Sequence, residues 1–322
     1  MAADKMKIVV MGGSYNPPTI AHYRLMMRAV DALDADKGLF VPVSDAYLKR
    51  KMRKDMRLFV LSPEMRIRML RSMCTDSRLD VCEKEIGTVE PRTVPTLEAL
   101  QEDYPMSELY FVMGTDKLGL LCHLTEKCGF LDRFKAVLYS REDSSIEQMI
   151  ASDEILNQYR ERIEVLPVPA GAEGISSTLI RNRMLAGESC VDLLCPGVAE
   201  LFGRFTPEDF PEVIRQFKDD YAFLSNRYPC QLEWRRQRFK SAEAAFKASS
   251  DGNPLEMMEA ILQAKFDQNP TLMEKLRQTG TKLLINGTNN NQNFWGVDRY
   301  SWRGENNLGK ILMKIREKET LK

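Results

Sequence analysis

The stretch Gly12-Gly13-Ser14-Tyr15-Asn16-Pro17-Pro18-Thr19-Ile20-Ala21-His22 decides how the chain is read. It follows Lys7-Ile8-Val9-Val10-Met11, an apolar run with the length and composition of a buried strand. It precedes Ala21 to Leu33, where Leu25, Met26, Ala29, Val30 and Leu33 recur at helical spacing. Gly12 and Gly13 allow a tight turn and close approach of backbone to a ligand, and Pro17-Pro18 stiffens the entry to the helix. Thr19 is a good N-cap, and His22 falls one turn on. A helix N-terminus offers unpaired N–H groups and partial positive charge, which suit phosphate oxygens. A hydroxyl and an imidazole there can hold a triphosphate and stabilise a departing pyrophosphate. Taken alone, the corner reads equally as a structural strand-turn-helix junction with a surface histidine.

Working outward, Leu39 to Val43, Leu109 to Met113, Ala136 to Tyr139 and Ile163 to Leu166 read as further strands. Pro63 to Met73 and Thr96 to Tyr104 read as helices between them. Strands separated by helices predict an α/β domain with a mostly parallel, Rossmann-like sheet. Around Pro207 to Asp220 the pattern changes, which places a boundary at 206–212 between a domain over 1–206 and a smaller one over 212–322. The smaller domain is expected to be a mainly helical α+β fold, with helices over Ser241 to Ala248, Pro254 to Lys265 and Thr271 to Thr279.

Bulk properties narrow the function. The 322 residues suit two domains at about 150 residues each. Hydrophobic residues make up 43% and charged residues 29%, an ordinary globular balance. Lys plus Arg equals Asp plus Glu at 46 each, which argues against a general nucleic-acid or membrane-surface binder. Seven cysteines without a CxxC pair and only two histidines argue against a zinc site and fit a reducing compartment. No signal-peptide core or membrane-length apolar run is present, so cytoplasm is the default location.

A second helix start changes the balance for the corner. Ile175-Ser176-Ser177-Thr178-Leu179-Ile180-Arg181 opens a helix that Gly187 ends. The hydroxyls cap it and Arg181 lies one turn in, a second place suited to phosphate. Together the two stretches resemble the G-x-F/Y-N/D-P-x-(H/T)-x-x-H and I-S-S-T-x-I-R motifs of nicotinate and nicotinamide mononucleotide adenylyltransferases. Thr93-Val94-Pro95-Thr96-Leu97-Glu98 and Gly114-Thr115-Asp116-Lys117-Leu118 resemble that family's segments between them.

The resemblance covers about residues 6 to 205. It implies adenylyl transfer from ATP, with Mg²⁺ bridging the phosphates, to a pyridine mononucleotide. Gly12, Gly13, Ser14, Tyr15, Thr19 and His22 would hold the ATP phosphates, and Ser176, Ser177, Thr178 and Arg181 would bind phosphate from the second helix. Gly114 and Asp116 would meet the ATP ribose, and Thr93 and Thr96 the mononucleotide. Lys49, Arg50, Lys51, Arg53, Lys54 and Arg57, with Asp55 among them, read as a mobile basic loop that meets substrate phosphates or as a solvated loop. The sequence departs from the family at Thr19, where histidine is commoner, and at Ala21, where glycine is frequent. No tryptophan precedes Trp234 to stack a pyridine, and His123 reads as a structural or surface residue. Acid and amide mononucleotides both remain open, as does a cytidylyltransferase or another nucleotidyltransferase acting on a different acceptor.

Residues 212–322 resemble the NADAR family of YbiA-like N-glycosidases, linked to NAD and ADP-ribose metabolism. The resemblance rests on Phe223-Leu224-Ser225-Asn226-Arg227-Tyr228-Pro229, Phe239-Lys240-Ser241-Ala242-Glu243, Asn293-Phe294-Trp295-Gly296 and Asn307 to Glu317. It implies a pocket in which Glu243 assists departure of a base, Trp295 stacks that base and Asn226 binds sugar hydroxyls, with Gly296 and Asn307 beside them. Ala244, Lys247 and Gln292 stand where the family has histidine, glutamine and an acid, and Asp298 is a candidate substitute for that acid. A domain that binds NAD or an ADP-ribose-like ligand as a sensor, without cleaving it, is the other reading. The expected partners are thus small nucleotides, and a homo-oligomer is left open.

Overall fold

The computed structural model describes residues 5–52, 59–87, 92–140, 143–202, 204, 209–249, 252–289 and 293–320. Arg53, Lys54, Asp55 and Arg57 of the basic run, Gln292, and 205–208 at the expected boundary lie outside the described residues. By contacts, the described chain groups into two units. One holds 5–52, 61–180 and 192–201; the other holds 59–60, 181–191 and the described residues from 202 onward.

In the first unit the chain runs β1 (Met6–Gly13), α1 (Ile20–Ala32), β2 (Lys37–Pro42), α2 (Asp45–Lys51), α3 (Pro63–Met73), β3 (Leu79–Val81), α4 (Thr93–Asp103) and β4 (Ser107–Gly114). It continues through α5 (Leu118–Cys128), α6 (Phe130–Arg133), β5 (Lys135–Ser140), α7 (Asp143–Ser152), α8 (Glu154–Gln158) and β6 (Ile163–Pro167). Helix α9 (Ser177–Ala186) begins in this unit and ends in residues of the other, and α10 (Pro196–Phe202) follows, all but its last residue in the first unit. The six strands form one sheet in the order β3-β2-β1-β4-β5-β6, with every neighbouring pair parallel. This is the doubly wound arrangement, and its strand order reverses between β1 and β4. Ile8, Val10, Leu39, Val41, Leu109, Ala136 and Leu138 bury the sheet against Leu97, Leu100, Leu121 and Phe130. The near-continuous apolar strands are what a parallel sheet covered on both faces requires.

Boundaries follow local chemistry. The Ser62 side chain accepts from Met65 N at 3.1 Å, and Pro63 sits at the first helical position, so α3 begins where expected. Helix α4 starts three residues before the predicted Thr96. Helix α5 is not evident from apolar spacing; Gly129 closes it at φ 60°.

The second unit holds β7 (Val213–Ile214), β8 (Leu232–Trp234), β9 (Gln237–Phe239), α11 (Ala242–Lys247), α12 (Pro254–Asp267) and α13 (Pro270–Gln278). It ends with β10 (Leu283–Leu284), β11 (Gly287–Thr288), β12 (Val297–Asp298) and α14 (Asn307–Thr320). Short strand pairs β10-β7, β11-β12 and β8-β9 brace a helical core built on Leu224, Ile261, Leu262, Phe266, Leu276, Leu312 and Ile315. Trp302 is fully buried, with the Arg215 guanidinium 4.5 Å from its ring centre. Among the described residues no helix is long and apolar enough to cross a membrane.

Candidate nucleotide sites

The corner after β1 is built around Tyr15. Its ring is fully buried, its backbone sits at φ 45°, and its hydroxyl donates to Met11 O at 2.5 Å. The ring lies edge-on to Phe40 and, with centroids 5.0 Å apart, to His22. A Cβ on Gly13 would lie 2.9 Å from this ring, too close to tolerate. The two glycines were expected to make the turn. Instead both are strand residues paired with Val41 and Pro42, and Tyr15 takes the left-handed conformation. Gly13 is needed because the ring packs on it.

Thr19 caps α1 and closes a reciprocal box with His22. His22 N donates to Thr19 Oγ1 at 3.4 Å, and Thr19 N donates to His22 Nδ1 at 3.0 Å. The Thr19 hydroxyl lies 2.7 Å from the same Nδ1. A backbone N–H can only donate, so Nδ1 is the acceptor and the ring proton resides on Nε2. Burial holds the His22 pKa down at about 4, so the imidazole is neutral at pH 7. The box therefore presents one Nε2–H donor at the N-terminus of α1, at the switch point of the sheet, where ligands of this architecture sit.

The second predicted helix start meets the corner. Ser177, buried, donates its hydroxyl to Pro17 O at 2.7 Å. Ser176 caps α9 by accepting from Leu179 N at 3.1 Å. Thr178 is exposed, and Arg181 is buried in the first turn. Gly114 ends β4; Asp116 beyond it is exposed and pairs with Lys117 at 2.9 Å.

Two expectations are corrected. Lys49, Arg50 and Lys51 form the last turn of α2 rather than a loop. Ser44 caps that helix, and the cations of Arg50 and Lys51 stack on Tyr47, at 5.3 and 4.6 Å from its ring centre. Cations also suit a helix C-terminus. Thr96 does not present its hydroxyl to a ligand: it is 1% exposed and donates to Glu85 Oε1 at 2.5 Å. Thr93, half-buried, opens α4. Sequence reading missed Arg66, whose fully buried guanidinium donates to Ser14 O at 3.0 Å and Val43 O at 2.8 Å. The available signal was an arginine on the apolar stripe of α3, with Met69, Leu70 and Met73 three, four and seven residues on.

In the second unit a cavity of about 750 Å³ brings Asn226, Glu243 and Trp295 together. Ser241 caps α11, and Glu243 N donates to Asn226 O at 2.8 Å, which joins two of the three. Phe246 stands edge-on to Trp295. Glu243 Oε1 takes Arg227 Nε at 3.1 Å and Lys247 Nζ at 3.4 Å. Lys218 and Arg299 also line the wall, so cations outnumber the one carboxylate.

Gly296 and Asn307 were expected in this pocket but do not line it. A Cβ on Gly296 would meet Asn286 O at 2.4 Å, and Asn307 is buried with its amide donated to Glu305. Asp298 is no substitute acid: its Oδ1 accepts from Tyr300 N, Ser301 N and the Ser301 hydroxyl, which binds it into a turn. Asn286, Phe246 and Arg299 are lining residues that no motif announced.

A capped, donor-rich corner at the switch point of a doubly wound sheet, met by a second capped helix start, is an arrangement suited to the phosphates of a nucleotide. The cytidylyltransferase-like family matches residues 10–183, over half of the chain, and the chain belongs to it. Residues 248–319 match the NADAR domain, a range that holds Trp295 but begins beyond Asn226 and Glu243. The chain is 30% identical over 210 residues to a probable nicotinate-nucleotide adenylyltransferase of Maridesulfovibrio salexigens, covering 61% of this chain and 94% of that protein. Among solved structures it is similar to Plasmodium falciparum nicotinic acid mononucleotide adenylyltransferase complexed with APC, at 17% identity and TM-score 0.46, over 64% of this chain and 98% of that one. It is also similar to the E. coli protein YbiA, at 21% identity and TM-score 0.29, over 34% of this chain and 89% of that one.

Proposed function

We propose that the chain is a protein of NAD metabolism whose first unit transfers the adenylyl group of ATP to nicotinate or nicotinamide mononucleotide. The relative named for the nicotinate reaction supports that acceptor. The observation that carries the reading is the Thr19–His22 box, which aims a neutral Nε2–H donor from the N-terminus of α1. A phosphate oxygen of the mononucleotide attacks the α-phosphorus of ATP, the bond to the bridging β-phosphate oxygen breaks, and pyrophosphate leaves. The attacking phosphate is already ionised, so no protein nucleophile is required and catalysis is positioning and charge stabilisation.

His22 and the α1 amides would meet the charge that grows on the leaving group, with Ser176 and Thr178 contributing from the start of α9. The corner offers N–H, hydroxyl and imidazole groups, and no metal-ligating cluster occurs among the described residues. That donor set suits phosphate oxygens, so Mg²⁺ would be held by the phosphates of ATP and would supply charge neutralisation there. A competition of ATP against CTP tests the nucleotide: preference for CTP would favour a cytidylyltransferase instead.

For the second unit, we propose a site that binds, and in its active form hydrolyses, an N-glycoside of a nucleotide or ADP-ribose. Glu243 beside Asn226 and Trp295 supports it, and the surrounding cations suit a phosphate-bearing ligand. One observation favours binding without cleavage: Arg227 and Lys247 already hold Glu243, and Ala244 follows it where the family has histidine. Turnover of NAD or ADP-ribosyl substrates, set beside their binding, separates the two.

A further inference from the structure

Arg66 ties together three segments of the first unit. Its Nη1 donates to Ser14 O, one residue past β1, and to Val43 O, one residue past β2, at 3.0 and 2.8 Å. Its Nη2 pairs at 2.9 Å with Asp45 Oδ1 on the first residue of α2, whose side chain is 30% exposed. Helix α2 ends in Lys49, Arg50 and Lys51. A planar fork of fixed geometry therefore spans from the phosphate corner to the helix that carries the cations. Burying a guanidinium is costly, and removing one partner of such a pair costs more than replacing both. Two backbone carbonyls and a carboxylate meet this one, and they lie on the segments whose spacing matters for two phosphate-bearing substrates.

We propose that Arg66 is a positioning residue of the transferase site, setting the corner after β1 and the start of α2, the helix that ends in the cations, at a fixed separation. It touches no substrate, since its Nη groups are committed inside the fold. The proposal rests on the transferase reading of the corner given above, and takes the cations at the end of α2 to meet the mononucleotide's phosphate. A buttress for the fold alone would stabilise the protein and leave substrate affinities unchanged.

The test is a double-mutant cycle read in steady-state kinetics. Asp45→Asn keeps a hydrogen-bond acceptor but removes the charge that faces the buried guanidinium, so it loosens the tie and is expected to lower Tm as well. It is expected to raise KM for the mononucleotide about tenfold, with KM for ATP changed less than about twofold and kcat little altered. In a Lys49→Ala/Lys51→Ala background the same substitution is expected to have no further effect, because the cations it places are gone. Arg66→Lys, which keeps the charge and loses the fork, is expected to fall between wild type and Asp45→Asn in KM. A lower Tm for Asp45→Asn with unchanged KM overturns the proposal, as do equal fold-changes in both backgrounds. Asp45→Asn decides the matter even if Arg66→Lys does not fold. A wild-type protein that turns over neither mononucleotide overturns the transferase reading itself, an outcome distinct from the others because they require an active wild type.

Discussion

Thr19 and His22 satisfy each other: the threonine N–H and hydroxyl both lie within 3.0 Å of the histidine Nδ1, and the histidine N–H returns to the threonine oxygen. The exchange fixes the ring's tautomer and orientation. Such preorganisation is the main contribution a protein can make when the chemistry lies between two phosphates.

The cap is measurable by itself. Thr19→Ala should lower unfolding stability by about 1 kcal/mol, the usual worth of a lost N-cap. It should also lower kcat/KM, since the ring loses its hydroxyl partner. Denaturant unfolding with unchanged midpoint would show that the box does not operate in solution.

His22 has a testable titration. The chain has only two histidines, so His22→Gln assigns the ring resonances by NMR. The His22 resonance should titrate near 4 rather than 6.5. The folded pKa lies below the unfolded one, so the unfolded chain takes up the proton first. Stability due to this group is therefore full above about pH 6.5 and falls as pH drops toward 4. A midpoint at 6.5 would place the ring in solvent.

Thr96 separates fold from binding. Thr96→Val leaves the buried Glu85 carboxylate, whose pKa burial already raises, without its hydroxyl donor. The expected result is a loss of about 1–3 kcal/mol in stability, the cost of orphaning a buried polar group, with KM for the mononucleotide unchanged. A raised KM at unchanged stability would return the hydroxyl to the substrate.

In the second unit, Glu243→Gln should abolish glycosidase turnover if the site cleaves, while Trp295→Ala should weaken ligand binding about tenfold in calorimetry through loss of stacking. Tight binding of ADP-ribose by wild type without turnover would favour the sensor. Unchanged turnover in Glu243→Gln would remove the carboxylate from the mechanism.

How much was legible depended on the range of the signal. Five of the six sheet strands and α3 could be read because apolar period, a serine cap and a proline are local, whereas β3, three residues long, was not. The Thr19–His22 box was legible for the same reason, being three residues long. The Thr96–Glu85 pair spans eleven residues and the Arg66 ties span 21 to 52, and no pattern along the chain marks which way a side chain turns at that distance. The basic run looked like a loop because its charge masks the helix; Tyr47, three and four residues before its stacked cations, held the clue. Asp298 lay close to the tryptophan in sequence, yet the turn through Ser301 claimed its oxygen.

The most direct measurement follows the label from ATP marked at the α-phosphate, with Mg²⁺ and each pyridine mononucleotide in turn. Label in deamido-NAD or NAD, with one pyrophosphate released per dinucleotide formed, is the predicted result. Label that stays out of both dinucleotides would contradict the account.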